Sequence, residues 1–177
     1  IKGHQWKAPI YRRTGGSSCP NCTNQTSRNE LRILTELASV FDDVRHRYKL
    51  DGAEVDVFLP EQKIGIEYDG KYWHGDKADQ DLEKNRHLDG QGVKLIRVRE
   101  APLTKLSEHD LIIPIGSFIS KKTMNLIVEF VGAESLTDYL KKEAFVAEET
   151  YLAYLDYFPS PFPEQSLAAV NPTLSAE

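Results

Sequence analysis

Apolar positions in this 177-residue chain follow a helical period first and a strand period afterwards. Leu31, Leu34, Leu37, Ala38 and Phe41 recur every three to four residues, which predicts an amphipathic helix from Ser27 with its apolar stripe turned inward. Val55–Leu59 and Ile64–Tyr68 alternate, and with Pro60, Glu61, Gln62 and Lys63 between them they predict a hairpin. A second helix is expected over Asp79–Leu88, stopped by Gly90 and Gly92. A third strand follows over Val93–Arg99 and a short fourth over Leu111–Pro114. Thr123–Val131 fits a helix or a strand. Leu136–Tyr157 is helical in period up to the run Phe158-Pro159-Ser160-Pro161-Phe162-Pro163, which cannot continue a helix. Residues 1–26 are polar, rich in Gly, Ser and Thr, and too few to bury a core, so a staple of another kind is needed there. Three regions result: 1–26, 27–131 and 132–177.

Composition narrows the class. With 40% apolar residues the chain can build an ordinary core, and no run approaches the roughly 20 apolar residues of a membrane span, so a soluble protein with no membrane partner is expected. The chain lacks a basic-then-apolar leader, which makes a cytoplasmic location the expectation. Its start at Ile1 suggests a segment of a longer parent chain with further modules. Nothing in the pattern specifies an oligomeric state. The net charge of −5 hides an asymmetry: residues 1–50 carry 9 basic against 4 acidic side chains, and residues 51–177 carry 13 against 23. A basic segment joined to an acidic one suggests a polyanion footprint beside a cation site.

Two constellations carry candidate chemistry. Cys19-Pro20-Asn21-Cys22 places two thiolates where they can clasp one Zn²⁺, and His4 offers a third ligand; a structural site needs four. The competing reading is a surface histidine with two free thiols. On the hairpin, alternation turns Val55, Val57 and Leu59 one way and Glu54, Asp56 and Phe58 the other, with Glu67 and Asp69 opposite Ile66 and Tyr68. A loop of two or four residues makes paired positions sum to 123, so Asp56 faces Glu67 and Glu54 faces Asp69. Like charges opposed on a sheet destabilise it, and an oxygen-only patch of this kind suits Mg²⁺ or Mn²⁺. The competing reading is a solvated acidic face.

Both constellations resemble known families. Gly3-His4-Gln5-Trp6, Arg13, Gly15-Gly16 and Cys19-Pro20-Asn21-Cys22 resemble the bacterial zinc ribbon of treble-clef type, C-x-x-G-H-x-W, R, G, C-P-x-C. That resemblance implies a fourth ligand just before Ile1. Ser166-Leu167 with Asn171-Pro172, Leu174 and Glu177 resembles the opening of another such unit. Over about residues 27–115, Glu54-Val55-Asp56-Val57-Phe58-Leu59-Pro60, Ile66-Glu67-Tyr68-Asp69-Gly70, Tyr72-Trp73-His74, Asp81-x-x-Lys84-Asn85 and Ile96-Arg97-Val98-Arg99-Glu100 resemble PD-(D/E)XK nucleases of the branch related to very-short-patch repair endonucleases.

This second resemblance implies an α/β fold with a restriction-endonuclease-like αβββαβ core, a mixed sheet flanked by helices, preceded here by the zinc ribbon and followed by a helical extension. It implies an endonuclease in which Asp56, Glu67 and the backbone carbonyl of Tyr68 hold Mg²⁺ or Mn²⁺. Asp69 stands where the family has Lys. His74 or Lys84 would take the base or charge-stabilising role. Glu30 has two readings: a capping box with Ser27, or a first-helix carboxylate bordering the metal. DNA is the implied partner, gripped by Trp6, Arg12 and Arg13 on the ribbon and by Arg28, Arg32, Arg97 and Arg99 on the core, whose other role would be surface solvation. Two further readings stay open: a nuclease-like module that binds nucleic acid without cutting it, and a zinc-organised protein scaffold.

Overall fold

The computed structural model describes residues 26–132 and 137–157. Its elements run α1 (Arg28–Ala38), β1 (Arg45–Leu50), β2 (Ala53–Leu59), β3 (Ile64–Asp69), α2 (Lys71–His74), α3 (Ala78–Asp89), β4 (Lys94–Glu100), β5 (Leu111–Ile113), α4 (Lys121–Val131), α5 (Thr137–Leu140) and α6 (Glu148–Tyr157). The protein is a mixed α/β fold. One five-stranded sheet in the order β1-β2-β3-β4-β5 is antiparallel through β3 and parallel from β3 to β5. The elements expected between residues 27 and 114 are present, and Thr123–Val131 lies inside a helix.

The hairpin register follows from its loop. Pro60–Lys63 are the four connecting residues, and Val57 pairs with Ile66, Phe58 with Gly65 and Leu59 with Ile64. The strand pattern did not reveal β1, whose Arg-His-Arg-Tyr-Lys-Leu sequence is charged because it is a half-exposed edge strand. The signal for it was the turn Asp51-Gly52: both residues have positive φ, 43° and 84°, as a two-residue hairpin loop of the primed type requires.

Two apolar clusters sandwich the sheet. The larger unites Leu31, Leu34 and Leu37 of α1 with Val57, Leu59, Ile64, Ile66, Ile96 and Val98, and with Met124, Ile127, Tyr139 and Tyr151 from the C-terminal helices. The smaller holds Val55, Phe58, Leu88, Val93 and Leu95 under α3. Val55 therefore parts company with Val57 and Leu59. The expected alternation breaks at Asp56, beside Arg47 of the neighbouring strand, which has φ 47°.

Close approach of this second layer explains Gly65. A Cβ there would lie 2.7 Å from Leu95 Cδ1 and 2.9 Å from Val55 Cγ1. Gly65→Val is expected to cost about 1–3 kcal/mol by overpacking. Thermal and urea melts would read the loss, and a variant as stable as wild type would contradict this packing.

Residues 137–157 are less of an appendage than the three-region division implied. Tyr139 and Tyr151 belong to the main core, and α1 is buried on nearly every side. Its Glu36, fully buried, accepts the Tyr139 hydroxyl at 2.8 Å and the backbone N–H groups of Val146 and Ala147 at 3.1 and 2.9 Å. The segment between α5 and α6 thus gives backbone donors to a carboxylate, and the expected continuous helix over Leu136–Tyr157 divides in two.

Candidate functional site

On the face of the sheet under α3, side-chain chemistry changes along the strands. Gly65 and Leu95 are followed two and four residues on by Glu67 with Arg97 and by Asp69 with Arg99, which the parallel register pairs directly. Glu67 Oε2 lies 2.8 Å from Arg97 Nη1. Asp69 lies 2.9 Å from Arg97 and 2.7 Å from Arg99. The alternating acids of Ile64–Asp69 and the alternating bases of Lys94–Glu100 were the signal for this match, but only the parallel pairing brings them together.

Asp56 enters from β2. One of its oxygens accepts the Tyr68 backbone N–H at 2.9 Å, beyond the last paired residues of the hairpin. Its carboxyl is pushed well above the usual range, first by burial and then by the charges of Glu30 and Glu67, against the Tyr68 N–H and Lys84. Burial also raises the Glu67 carboxyl, although Arg97 and Lys84 pull it back. Lys84, reaching in from α3, forms an ion pair with Glu67. Glu30 makes the expected capping box. Its Oε2 accepts the Ser27 N–H at 3.1 Å while Ser27 Oγ accepts the Glu30 N–H at 2.9 Å, and the carboxylate still acts electrostatically on Asp56. Glu30 Oε1 also lies 2.7 Å from His46 Nε2, a β1 residue that the sequence pattern missed along with its strand.

Farther along, His74 ends α2 with Nδ1 3.0 Å from Asp81 and 3.6 Å from Asp69. Arg99 reaches Asp81 at 3.3 Å. Just before His74, Tyr72 and Trp73 are 79% and 66% exposed, with their rings edge to face at 4.9 Å. Glu100 holds this turn in place by accepting the Lys71 N–H at 3.0 Å and the Tyr68 hydroxyl at 2.7 Å. That hydroxyl's proton is held more tightly than usual by burial and by Glu100.

Several expected site residues are placed elsewhere. Arg97 and Arg99 are 0% and 1% exposed and are bound to carboxylates, so neither can meet a phosphate. Arg32 is buried as well. It pairs with Glu148 at 2.7 Å and lies over the rings of Tyr151 and Phe145 at 3.5 and 4.1 Å, which gives it a packing role in place of a DNA contact. Arg28 remains half-buried at the start of α1. Glu54 leaves the proposed four-carboxylate patch because the break at Asp56 turns it toward Arg47, 2.5 Å away. Asp69 is neutralised by two guanidinium groups, one of which, Arg97, it shares with Glu67. His4, Trp6, Arg12, Arg13, Cys19 and Cys22 lie outside the described residues.

The charge of the connected set does not close. Six carboxyl groups (Glu30, Glu54, Asp56, Glu67, Asp69, Asp81) meet four side-chain cations (Arg47, Lys84, Arg97, Arg99), so the carboxyls outnumber the cations by two. Glu30 lies against His46, and the buried Asp56 carboxyl meets this crowding by holding its proton above the usual range. Asp56 and Glu67 offer oxygen donors of the kind a hard divalent cation takes, and such a cation would replace the proton that crowding favours on Asp56. Among the described residues no helix is long and apolar enough to cross a membrane. Comparison with family models, curated proteins and solved structures gives no match.

Proposed function

We propose that this chain is a metal-dependent DNA endonuclease that hydrolyses phosphodiester bonds. The observation that carries the reading is the buried Asp56 carboxyl, crowded by Glu30 and Glu67 next to the Lys84–Glu67 ion pair. Asp56 and Glu67, with the backbone carbonyl of Tyr68, would hold Mg²⁺ or Mn²⁺, which when bound polarises a phosphate and acidifies an attacking water. Lys84 supplies a cation beside Glu67, taking the place that Asp69 vacates in the Glu-x-Lys pattern, and steadies charge on the phosphate oxygens. His74 accepts the proton of the nucleophile. Tyr72 and Trp73, exposed beside His74, offer ring faces on which bases can stack. The ribbon residues Trp6, Arg12 and Arg13, with Zn²⁺ on His4, Cys19 and Cys22, would add a grip on the duplex that weakens as salt rises.

Cleavage of supercoiled plasmid in Mg²⁺, in Mn²⁺ and in chelator, by wild type and by Asp56→Ala, tests the proposal. Cleavage by the wild type alone, and only with metal, is the expected result. Equal cleavage by both proteins overturns it. DNA binding without cleavage under either metal would make this a binding module.

A further inference from the structure

We propose that Asp81 is the positioning residue of His74, fixing the imidazole as its Nδ1–H tautomer so that Nε2 faces the reaction as an unprotonated base. This rests on the nuclease reading for its purpose but not for its geometry. Both oxygens of Asp81 lie within hydrogen-bond reach of His74 Nδ1, at 3.1 and 3.0 Å. An ionised carboxylate only accepts, so Nδ1 carries the hydrogen and a neutral ring is left with its lone pair on Nε2. Asp81 cannot easily turn away. Its Oδ2 accepts from Arg99 Nη2 at 3.3 Å, and its backbone carbonyl accepts from Arg97 Nη2 at 3.3 Å. His74 is thereby held by a carboxylate on the first turn of α3, across the bend that follows α2, while its ring stays partly open to solvent.

Asp69, His74 and Asp81 also stand close enough to one another to ligate a metal. The arginines argue for orientation in its place. Arg99 already spans the two carboxylates, 2.7 Å from Asp69 and 3.3 Å from Asp81, and Arg97 adds a second guanidinium at 2.9 Å from Asp69. A cation there would have to displace two buried positive charges. With those charges in place, the trio acts as a neutralised cradle for one imidazole.

The experiment uses the whole chain with ¹⁵N-labelled histidine and compares wild type with Asp81→Asn. In the variant Arg99 retains the amide oxygen at the Oδ2 position as its acceptor, and the amide NH₂ takes the Oδ1 position, where it donates to His74 Nδ1 in competition with that oxygen. The expected spectra show His74 as Nδ1–H in wild type and as Nε2–H in Asp81→Asn. Under Mg²⁺, kcat of the variant should fall at least about 100-fold with KM changed less than about threefold. A wild-type Nε2–H tautomer, or one that Asp81→Asn leaves unmoved, overturns the proposal. If wild type cuts no DNA, the nuclease reading fails and the tautomer, which needs no activity, still decides the role of Asp81. If Asp81→Asn does not fold, the wild-type spectrum decides alone, with Nδ1–H in support and Nε2–H against.

Discussion

Arg97→Met is expected to lower the free energy of unfolding by about 3–5 kcal/mol, because it removes a buried cation shared by three carboxylates. Arg97 Nη1 lies 2.8 Å from Glu67, 2.9 Å from Asp69 and 3.8 Å from Asp81, and its Nε donates to Asn85 Oδ1 at 2.8 Å. Burial by itself would favour the neutral guanidine, but the surrounding carboxylates hold Arg97 charged, with its pKa raised above the ordinary value. Methionine fills similar volume, so the loss reports charge more than a cavity. Glu67 and Asp69 would then lie buried with only Lys84 and Arg99 to balance them. Urea denaturation should show a lower midpoint with an unchanged slope. The deficit should narrow in acid, where the orphaned carboxylates can take up protons. Arg97→Lys keeps the charge but not the planar fork, and should fall between the two. A loss below about 1 kcal/mol in Arg97→Met would mean that the network is not held together in this way.

Asp56→Asn is expected to do the opposite for stability while abolishing cleavage. The Asp56 carboxyl is raised in the folded state by burial and by Glu30 and Glu67, so the folded protein holds its proton to higher pH than the unfolded chain does. Stability therefore falls as pH rises from the unfolded value near about 4 through the folded pKa, and the penalty is complete above it. Asparagine carries no charge and still accepts the Tyr68 N–H. The variant should gain on the order of 1 kcal/mol at neutral pH, and the gain should vanish in acid, where Asp56 is protonated in both states. Cleavage should drop by about 10³-fold or more, since the anion that would bind metal is gone. Metal should raise the melting temperature of wild type and not of Asp56→Asn. Equal metal-induced shifts in the two proteins would place the cation elsewhere. A site that lowers stability in order to concentrate charge is the usual trade between function and folding.

The nearness of Asp56 and Glu67 was legible because a four-residue loop between two alternating strands leaves one register, in which Val57 meets Ile66 and the two carboxyls follow just beyond the last pair. Lys84 was legible as a candidate by its place on the following helix. Glu54 was misplaced because strict alternation was carried through a position where the backbone does not alternate, next to Arg47 in the left-handed region. Arg97, Arg99 and Arg32 were assigned to the surface for a common reason. A charged residue reads as exposed unless its partner is known, and these partners come from the parallel strand β3 or, for Arg32, from Glu148, far away in the chain.

The sequence by itself determined the elements with local causes: helix α1 from its Ser27–Glu30 capping box and apolar period, the β2–β3 hairpin and its register, and the meeting of two carboxylates across it. Tertiary structure alone decided which charges are neutralised. The crossover through α3 sets β3 and β4 side by side and buries Arg97 and Arg99 against Glu67, Asp69 and Asp81, and α5 and α6 close over α1. Hydrogen bonding and period act within a few residues, whereas burial and ion pairing depend on what the rest of the chain brings alongside. The crowding of carboxyls at Asp56 emerges only when both are counted together.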